Sequence, residues 1–307
     1  MDCVLADSID EELWFGEDDP AHADRAASES LAASVARISG LKPLPVVVQK
    51  VLAELARPEW SAHEVSEMVA SDPSLASMVL RLANSSFYSR GVPLSSVPHA
   101  ITRLGGGKLR ELVVGVAAMS LVDGHTRRAL ALRDHCAGTA AVARELAVLV
   151  RADSSVAFLA GLLHDMGRLL MLETGEIDYE TIAEANAVSD EALPAAERYQ
   201  LDFDHAVLGG HVLKVWGIPE PVPQVVAWHH QPVRAYEAEN DEITTLVGVL
   251  RVADRMCECF EADEPIDARA LAKGADGATI GLRASTILGA IDRIGEARSE
   301  ALALFAG

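Results

Sequence analysis

The sequence predicts an all-α protein, and three observations support this. Half of the 307 residues are hydrophobic and only 5% are aromatic, a composition that favours helices over sandwiches and barrels. Apolar residues recur at helical spacing, and no strand-like alternation of useful length is found. Capping residues and prolines separate the helical segments. A chain of this length has enough material for one large domain or two modest ones.

The net charge of −20 is unevenly distributed along the chain. Residues 1–30 carry ten acidic side chains and one basic one, a net charge of −9. We expect residues 1–36 to form an acidic, partly disordered leader. A partner-binding helix around Leu13, Trp14 and Phe15 is the alternative. Because binding to phosphates needs clustered Lys and Arg, this acidity argues against a nucleic-acid partner.

Helix signals follow one another through the first half of the chain. The apolar run VVVQKVLAELA has helical period and is bounded by prolines. Ser61 and Glu64 form a capping-box pattern for the next helix. Asp72 before Pro73 predicts an N-cap and first residue for the helix SLASMVLRLANSSF. Three glycines, 105–107, predict a tight turn between two further helices.

The second half predicts five or six more helices. Their expected ranges are 135–150, 154–172, one or two surface helices in the acidic segment 175–200, then 205–216, 219–230 and 243–260. Asp204 is the expected N-cap of the helix that begins at His205. The C-terminal segment Ser285 to Phe305 has amphipathic spacing. We expect it to pack on its own domain, with packing on a second copy in a homodimer as the alternative.

An adjacent His-Asp pair lies inside the apolar segment Phe158 to Leu172, FLAGLLHDMGRLLML. A buried carboxylate costs on the order of several kcal/mol unless it is paired or binds a metal. Adjacent helical residues point about 100° apart, so His164 and Asp165 reach one ion only from a helix end or a bend. Gly167 is placed to supply that bend. A polar pair that hydrogen-bonds within the core or caps a helix is the alternative.

Other histidines and one aspartate also lie on apolar helical segments, namely His135, His205, His229, His230 and Asp254. The order His, His-Asp, His, His-His, Asp resembles the metal-dependent HD phosphohydrolase superfamily. The strings DPSLASMVLRLANSS and AITRLGGGKLRELV resemble, more specifically, the HDOD family, the HD-related output domain of bacterial signalling proteins. This resemblance covers about residues 37 to 260.

The resemblance implies a domain organisation and a site. It implies a helical subdomain at residues 37–124 packed on an HD-like helical bundle at 125–260. The helical tail that we expect at 261–307 lies outside the resemblance. The implied ligands of a first metal are His135, His164, Asp165 and Asp254, and those of a second metal are His205, His229 and His230. Mixed imidazole and carboxylate ligation suits one or two ions of Fe, Mn, Ni or Zn. For His229 and His230 the alternative is satisfaction of carbonyls at a helix C-terminus.

The resemblance also implies a function. HDOD proteins are regarded as a non-catalytic branch, so we expect a bacterial signal-output module that acts through contact with another signalling protein. The alternative is a metal-dependent HD-type phosphohydrolase acting on a nucleotide or another phosphate ester. Arg168, where phosphodiesterase relatives usually carry Lys, would then contact phosphate. Ala131 replaces the Glu of trinuclear members, and no Gly-Tyr-Pro follows His230, so hydrolysis of cyclic-di-GMP is not expected.

The cysteines and the apolar runs bear on localisation. The four cysteines have no paired metal-ligand spacing, and we interpret them as reduced thiols. No apolar run reaches the roughly 20 residues needed to span a bilayer, and the N-terminus is acidic. The sequence therefore predicts a cytoplasmic protein without a membrane partner.

Overall fold

A computed structural model describes residues 44–85, 94–121, 126–174, 178–185, 192–237 and 240–305. Within these ranges the chain forms 17 helices and no strand, which confirms the all-α prediction. The predicted leader at residues 1–36 lies outside the described residues. The helices are α1 (Val46–Leu55), α2 (Ala62–Ala70), α3 (Pro73–Asn84), α4 (Val97–Leu121), α5 (Arg127–Val150), α6 (Ser154–Leu163), α7 (Met166–Thr174), α8 (Tyr179–Ala185), α9 (Ala192–Leu201), α10 (His205–Val215), α11 (Val222–Trp228), α12 (Pro232–Glu237), α13 (Asp241–Glu261), α14 (Ala268–Lys273), α15 (Ala275–Thr279), α16 (Ala284–Leu288) and α17 (Ile291–Phe305).

The predicted N-caps are confirmed. Ser61 Oγ accepts a hydrogen bond from the backbone N–H of Glu64 at 3.3 Å. Asp72 accepts from two backbone N–H groups of α3 at 3.0 Å, and Asp204 accepts from the N–H of Val207 at 2.9 Å. Each cap satisfies N–H groups that have no partner inside the helix. The beginnings of α2, α3 and α10 are therefore fixed by local sequence.

The predicted glycine turn is a kink within α4. Gly105 has φ 74° and ψ 167°, a left-handed conformation that favours glycine. A Cβ on Gly106 would lie 2.9 Å from the indole ring of Trp60. Gly105 therefore allows the helix to change direction, and Gly106 allows the ring of Trp60 to pack closely against the backbone.

Helices α5 and α6 lie at the centre of the protein. One large apolar cluster joins α1–α4 to one face of α5 and α6, including Phe158 and Leu162. A second cluster joins the opposite face, including Ala157 and Ala160, to α11, α13 and the helices that follow. A helix that is apolar all round is typical of such a buried position. The predicted subdomain limits at residues 36, 124 and 260 stay predictions.

One stretch, Ser154–Glu173, is long and apolar enough to cross a membrane by length and composition alone. Since 78% of it is buried inside the protein, it also has the character of a core segment. Cys136, Cys257 and Cys259 form no disulfide within the described part of the chain.

The C-terminal helix packs on its own chain. Ala297 and Ala301 of α17 are buried against Ala141 of α5. Arg293 Nε lies 2.6 Å from a carboxylate oxygen of Glu145. The tail therefore packs on its own chain, as predicted. The homodimer stays a prediction.

Candidate metal centre

The seven predicted ligands come from five parts of the chain and meet in one cluster. His135 projects from α5 and Asp254 from α13, and the His-Asp pair lies between α6 and α7. His205 is the first residue of α10, and the His-His pair directly follows α11. Each of the seven side chains contacts at least one other member of the set.

The His-Asp pair lies at a helix junction, as predicted. Helix α6 ends at Leu163 and α7 begins at Met166, so the two side chains are free to face one centre. Gly167 serves packing at this point. A Cβ there would lie 2.1 Å from the carbonyl oxygen of His205, so only glycine lets the beginning of α10 approach α7 this closely. This contact brings His205 to the pair.

One group of donors surrounds the first predicted metal position. His135 Nε2 lies 2.9 Å from Asp254 Oδ1. His164 Nε2 lies 3.8 Å from the same oxygen and 3.6 Å from Asp165 Oδ2. One ligand atom from each of His135, His164 and Asp165 lies within 4.8 Å of the others. These atoms are suited to one divalent cation.

A second group consists of His205, His229 and His230, whose ligand nitrogens also lie within 4.8 Å of one another. His205 Nε2 and His230 Nε2 are 3.0 Å apart. Two imidazole nitrogens bound at about 2.1 Å to one ion, at a right angle, are separated by about 3.0 Å. Asp165 Oδ1 lies 3.2 Å from His205 Nε2. Asp165 therefore borders both groups.

Four of the histidines are held by their Nδ1 atoms from outside the cluster. Histidines that bind metal usually donate their other ring N–H to a carbonyl or a carboxylate, which fixes the tautomer and the ring orientation. The four Nδ1 contacts are His164 to Gly161 O at 2.8 Å, His229 to Val226 O at 2.6 Å, His205 to Glu197 Oε2 at 2.7 Å and His135 to Glu261 Oε1 at 3.0 Å. The Nε2 atoms therefore face the centre as possible ligands.

His229 Nε2 indicates whether the cluster is suited to a metal ion. This atom is buried and has no hydrogen-bond partner among the described residues, while Nδ1 of the same ring donates to Val226 O. Burial, with nearby His164 and His205, lowers the pKa of His229 to about 3, so its Nε2 carries a lone pair. Buried polar atoms without partners are uncommon, and a bound cation would satisfy this one. The residues fit a metal.

The two aspartates are ionised and thus competent as ligands. Burial alone would raise the pKa of Asp165, but the guanidinium of Arg168 and the neighbouring histidines hold it well below its usual range. Burial likewise opposes ionisation of Asp254, yet the hydrogen bond from His135 lowers its pKa to about 2. Both carboxylates therefore remain charged in the core.

His205 differs from His229 in charge. Burial alone would lower its pKa, but Glu197 and Asp165 raise it to about 10. In the metal-free protein the ring is an imidazolium that donates to both carboxylates. A proton therefore supplies the positive charge at this position, and a metal ion would have to replace that proton.

Sequence reasoning missed Glu197 and Glu261. Glu197 lies in a segment predicted to form surface helices, yet it is fully buried. It accepts a hydrogen bond from the hydroxyl of Tyr179, and the backbone N–H of His205 donates to it at 2.9 Å. A signal was present in α9, where Pro194 and Glu197 share the buried face. A carboxylate at a position expected to be apolar indicates a buried partner.

Arg168 contacts a carboxylate within the cluster. Its Nη1 lies 2.6 Å from Asp165 Oδ2, and its side chain is 26% exposed. Contact with a phosphate stays a prediction.

Comparison with known proteins identifies the family. The HDOD domain matches residues 41–232, which is more than half of the chain. An HDOD domain protein of Geobacter sulfurreducens is 22% identical, with a TM-score of 0.67, over 90% of this chain and 98% of that one. Two proteins of Shewanella amazonensis SB2B are also similar. One, named "Putative phosphohydrolase", is 23% identical with a TM-score of 0.70, over 90% of this chain and 97% of that one. The other, "Putative metal-dependent phosphohydrolase", is 22% identical with a TM-score of 0.63, over 91% and 99%.

These structural likenesses show the fold alone. An uncharacterized protein of Treponema pallidum (strain Nichols) is 23% identical over 219 residues, which is 70% of this chain. The chain spans 43% of the length of that curated relative. On the match over residues 41–232, the chain belongs to the HDOD family.

Proposed function

We propose that the protein is a signal-output module of the HDOD family that acts by contact with another protein. In this proposal its buried His/Asp cluster holds one or two divalent ions of Fe, Mn, Ni or Zn. The ions serve to fix five parts of the chain to one another, and the partner binds elsewhere on the surface.

The enclosure of the donor atoms carries this proposal. The side chains of His164 and His205 are 1% exposed and that of Asp165 is 2% exposed. Side chains this deeply buried offer a phosphate ester little surface to contact, whereas a single ion needs only the donor atoms themselves. A metal held by ligands from separate helices adds its binding free energy to that of folding.

A second candidate is the metal-dependent phosphohydrolase. It is favoured by two partly exposed side chains of the cluster, Asp254 at 20% and Arg168 at 26%. When bound there, divalent ions would supply an activated water and stabilise negative charge on a phosphoryl group. Arg168 would offer the phosphate an N–H that Asp165 does not use.

The test is a side-by-side measurement of turnover and of chelator sensitivity on protein purified without a His-tag. The substrate is bis(p-nitrophenyl) phosphate with added Mn²⁺, and the control variants are His164→Ala and Asp165→Ala. We expect no turnover above these variants, together with a melting temperature that chelator lowers in the wild type alone. Turnover in the wild type that both variants abolish would establish the phosphohydrolase and overturn the module.

A cross-linking experiment tests the partner side of the proposal. A partner captured equally by the wild type and by His164→Ala supports a binding surface separate from the cluster. Capture that depends on His164 would mean that the metal centre itself forms the surface, contrary to the proposal.

A further inference from the structure

The C-terminal helix reaches the metal centre through one carboxylate. Glu261, at the end of α13, contacts His135 Nδ1 at 3.0 Å, while Asp254 contacts the Nε2 atom of the same ring at 2.9 Å. Arg298 of α17 places Nη2 3.7 Å from Glu261 Oε1. Its guanidinium also lies over the ring of Phe260, 5.6 Å from the centroid. Glu261 and α17 both lie outside the range that matches the family, residues 41–232.

Helix α5 has a gap that admits Arg298. A Cβ on Gly138, three residues after His135, would lie 3.1 Å from Arg298 Nε and 2.8 Å from Cys257 Sγ. The thiol of Cys257 in turn lies 3.4 Å from Glu261 Oε1. The glycine thus makes room for two groups that hold the Glu261 carboxylate against His135. The arrangement is built by three helices, α5, α13 and α17.

Glu261 occupies the nitrogen of His135 that lies away from the cluster, Nδ1, and Nε2 faces the cluster. A histidine ligand binds through one nitrogen, and a partner at the other nitrogen sets its tautomer and orientation. For His164 and His229 that partner is a backbone carbonyl, which no side-chain movement removes. For His135 it is a side chain that is 39% exposed. His135 is therefore a point at which a distant part of the chain can alter the cluster.

We propose that Glu261 is a positioning residue for the metal position at His135, and that the C-terminal helix holds it there through Arg298. Docking of α17 and occupancy of the cluster then stabilise each other, since coupling between two binding events is reciprocal. This inference rests on the metal occupancy in the proposed function and adds to it the part of the chain that responds to the metal.

Cobalt binding to the metal-free, full-length protein tests the role of Glu261. Co²⁺ is followed by visible absorption, which reports the geometry of its ligands. We expect Glu261→Ala to weaken Co²⁺ binding about 10- to 100-fold and to shift the absorption band. Glu261→Gln, whose amide oxygen accepts the same N–H, should restore most of the affinity and the band. A loss of general stability alone would not shift the band.

Hydrogen exchange of α17 tests the link to the helix. Arg298→Met is expected to weaken Co²⁺ binding about two- to fivefold, in keeping with a partly exposed ion pair. The matched control is Arg293→Met, because Arg293 lies on the same helix and pairs with Glu145 at 2.6 Å. Co²⁺ should slow exchange of the α17 amides in the wild type and in the control, but much less in Arg298→Met.

The outcomes separate this inference from the function on which it rests. Wild-type protein that binds Co²⁺ with an affinity and a spectrum shared by Glu261→Ala and Arg298→Met would overturn the inference and leave the metal centre standing. Wild-type protein that binds no Co²⁺ would overturn both.

Discussion

Replacement of Gly167 by alanine tests the geometry of the cluster without changing any proposed ligand. The added Cβ would lie 2.1 Å from the carbonyl oxygen of His205, 2.8 Å from its carbonyl carbon and 3.0 Å from its Cα. All three are backbone atoms, so no side-chain rotation relieves the contact. Because non-bonded Cβ contacts shorter than 3.0 Å are essentially never observed, the first turn of α10 must retreat by about 1 Å.

Two consequences follow from this shift. Overpacking of a dense core costs about 1–3 kcal/mol, and the better helix propensity of alanine offsets at most about 1 kcal/mol of this. Because the contacts are with backbone atoms, we take the upper end of that range, about 3 kcal/mol, and expect a net loss of about 2–3 kcal/mol in the free energy of unfolding. The same shift moves His205, whose Nε2 now lies 3.0 Å from His230 Nε2 and 3.2 Å from Asp165 Oδ1. Metal bound at the second group should weaken.

Urea denaturation and metal analysis of the variant measure both effects. The matched control is Gly107→Ala, because a Cβ at Gly107 has no neighbour within 4 Å and the residue lies in helical backbone. This control should be as stable as the wild type or up to about 1 kcal/mol more stable, with unchanged metal content. A Gly167→Ala protein with the stability and metal content of the wild type would refute the close packing of α7 on α10.

Three further predictions concern the cluster and the groups that support it. His229→Ala removes the unpartnered nitrogen, so the protein should lose metal from the second group and keep it at the first. Elemental analysis checks this. Full retention of metal would contradict the assignment of His229 as a ligand. Tyr179→Phe removes the hydroxyl that donates to the buried carboxylate of Glu197. We expect this to lower the free energy of unfolding, measured in urea, by about 1–3 kcal/mol. The control Tyr199→Phe, at an 88% exposed site, should change it by no more than about 0.5 kcal/mol. The metal-free protein should be most stable near pH 6.5, the ordinary pKa of histidine. Below that pH the unfolded chain gains protons that buried His229, with a pKa of about 3, does not accept, so stability falls. Above that pH, stability also falls, because the unfolded chain loses the proton that folded His205 keeps. The stabilisation from this proton is gone once the pH passes the folded pKa of about 10. Melting temperatures across this range check the maximum, and a stability that is flat between pH 5 and 9 would contradict it.

The sequence predicts the features that depend on local chemistry. The N-caps at Ser61, Asp72 and Asp204 are set by residues two or three positions away, and short-range signals of this kind are readable. The ordered set of histidines and aspartates was also readable, because polar residues on apolar helical segments must find partners in the core. The structure brings all seven of them together, although their binding of metal stays a prediction.

The features that sequence did not predict depend on contacts between distant segments. Glu261 contacts His135 across 126 positions of the chain, and nothing in the spacing of either residue indicates the pair. The sequence predicts a surface helix around Glu197 because its neighbours are polar, but the packing of α9 beside α10 buries this side chain. The sequence predicts the bend near Gly167, but it does not reveal that this glycine also makes room for the backbone of His205. Tertiary packing decided each of these cases.

Elemental analysis shows whether the buried cluster is a metal centre. The protein is purified without a His-tag and without chelator, beside His164→Ala. We expect one or two equivalents of Fe, Mn, Ni or Zn in the wild type and a marked loss in the variant. Wild-type protein that holds no metal, even after reconstitution with each of these ions, would contradict this expectation and leave the histidines as polar groups of the core.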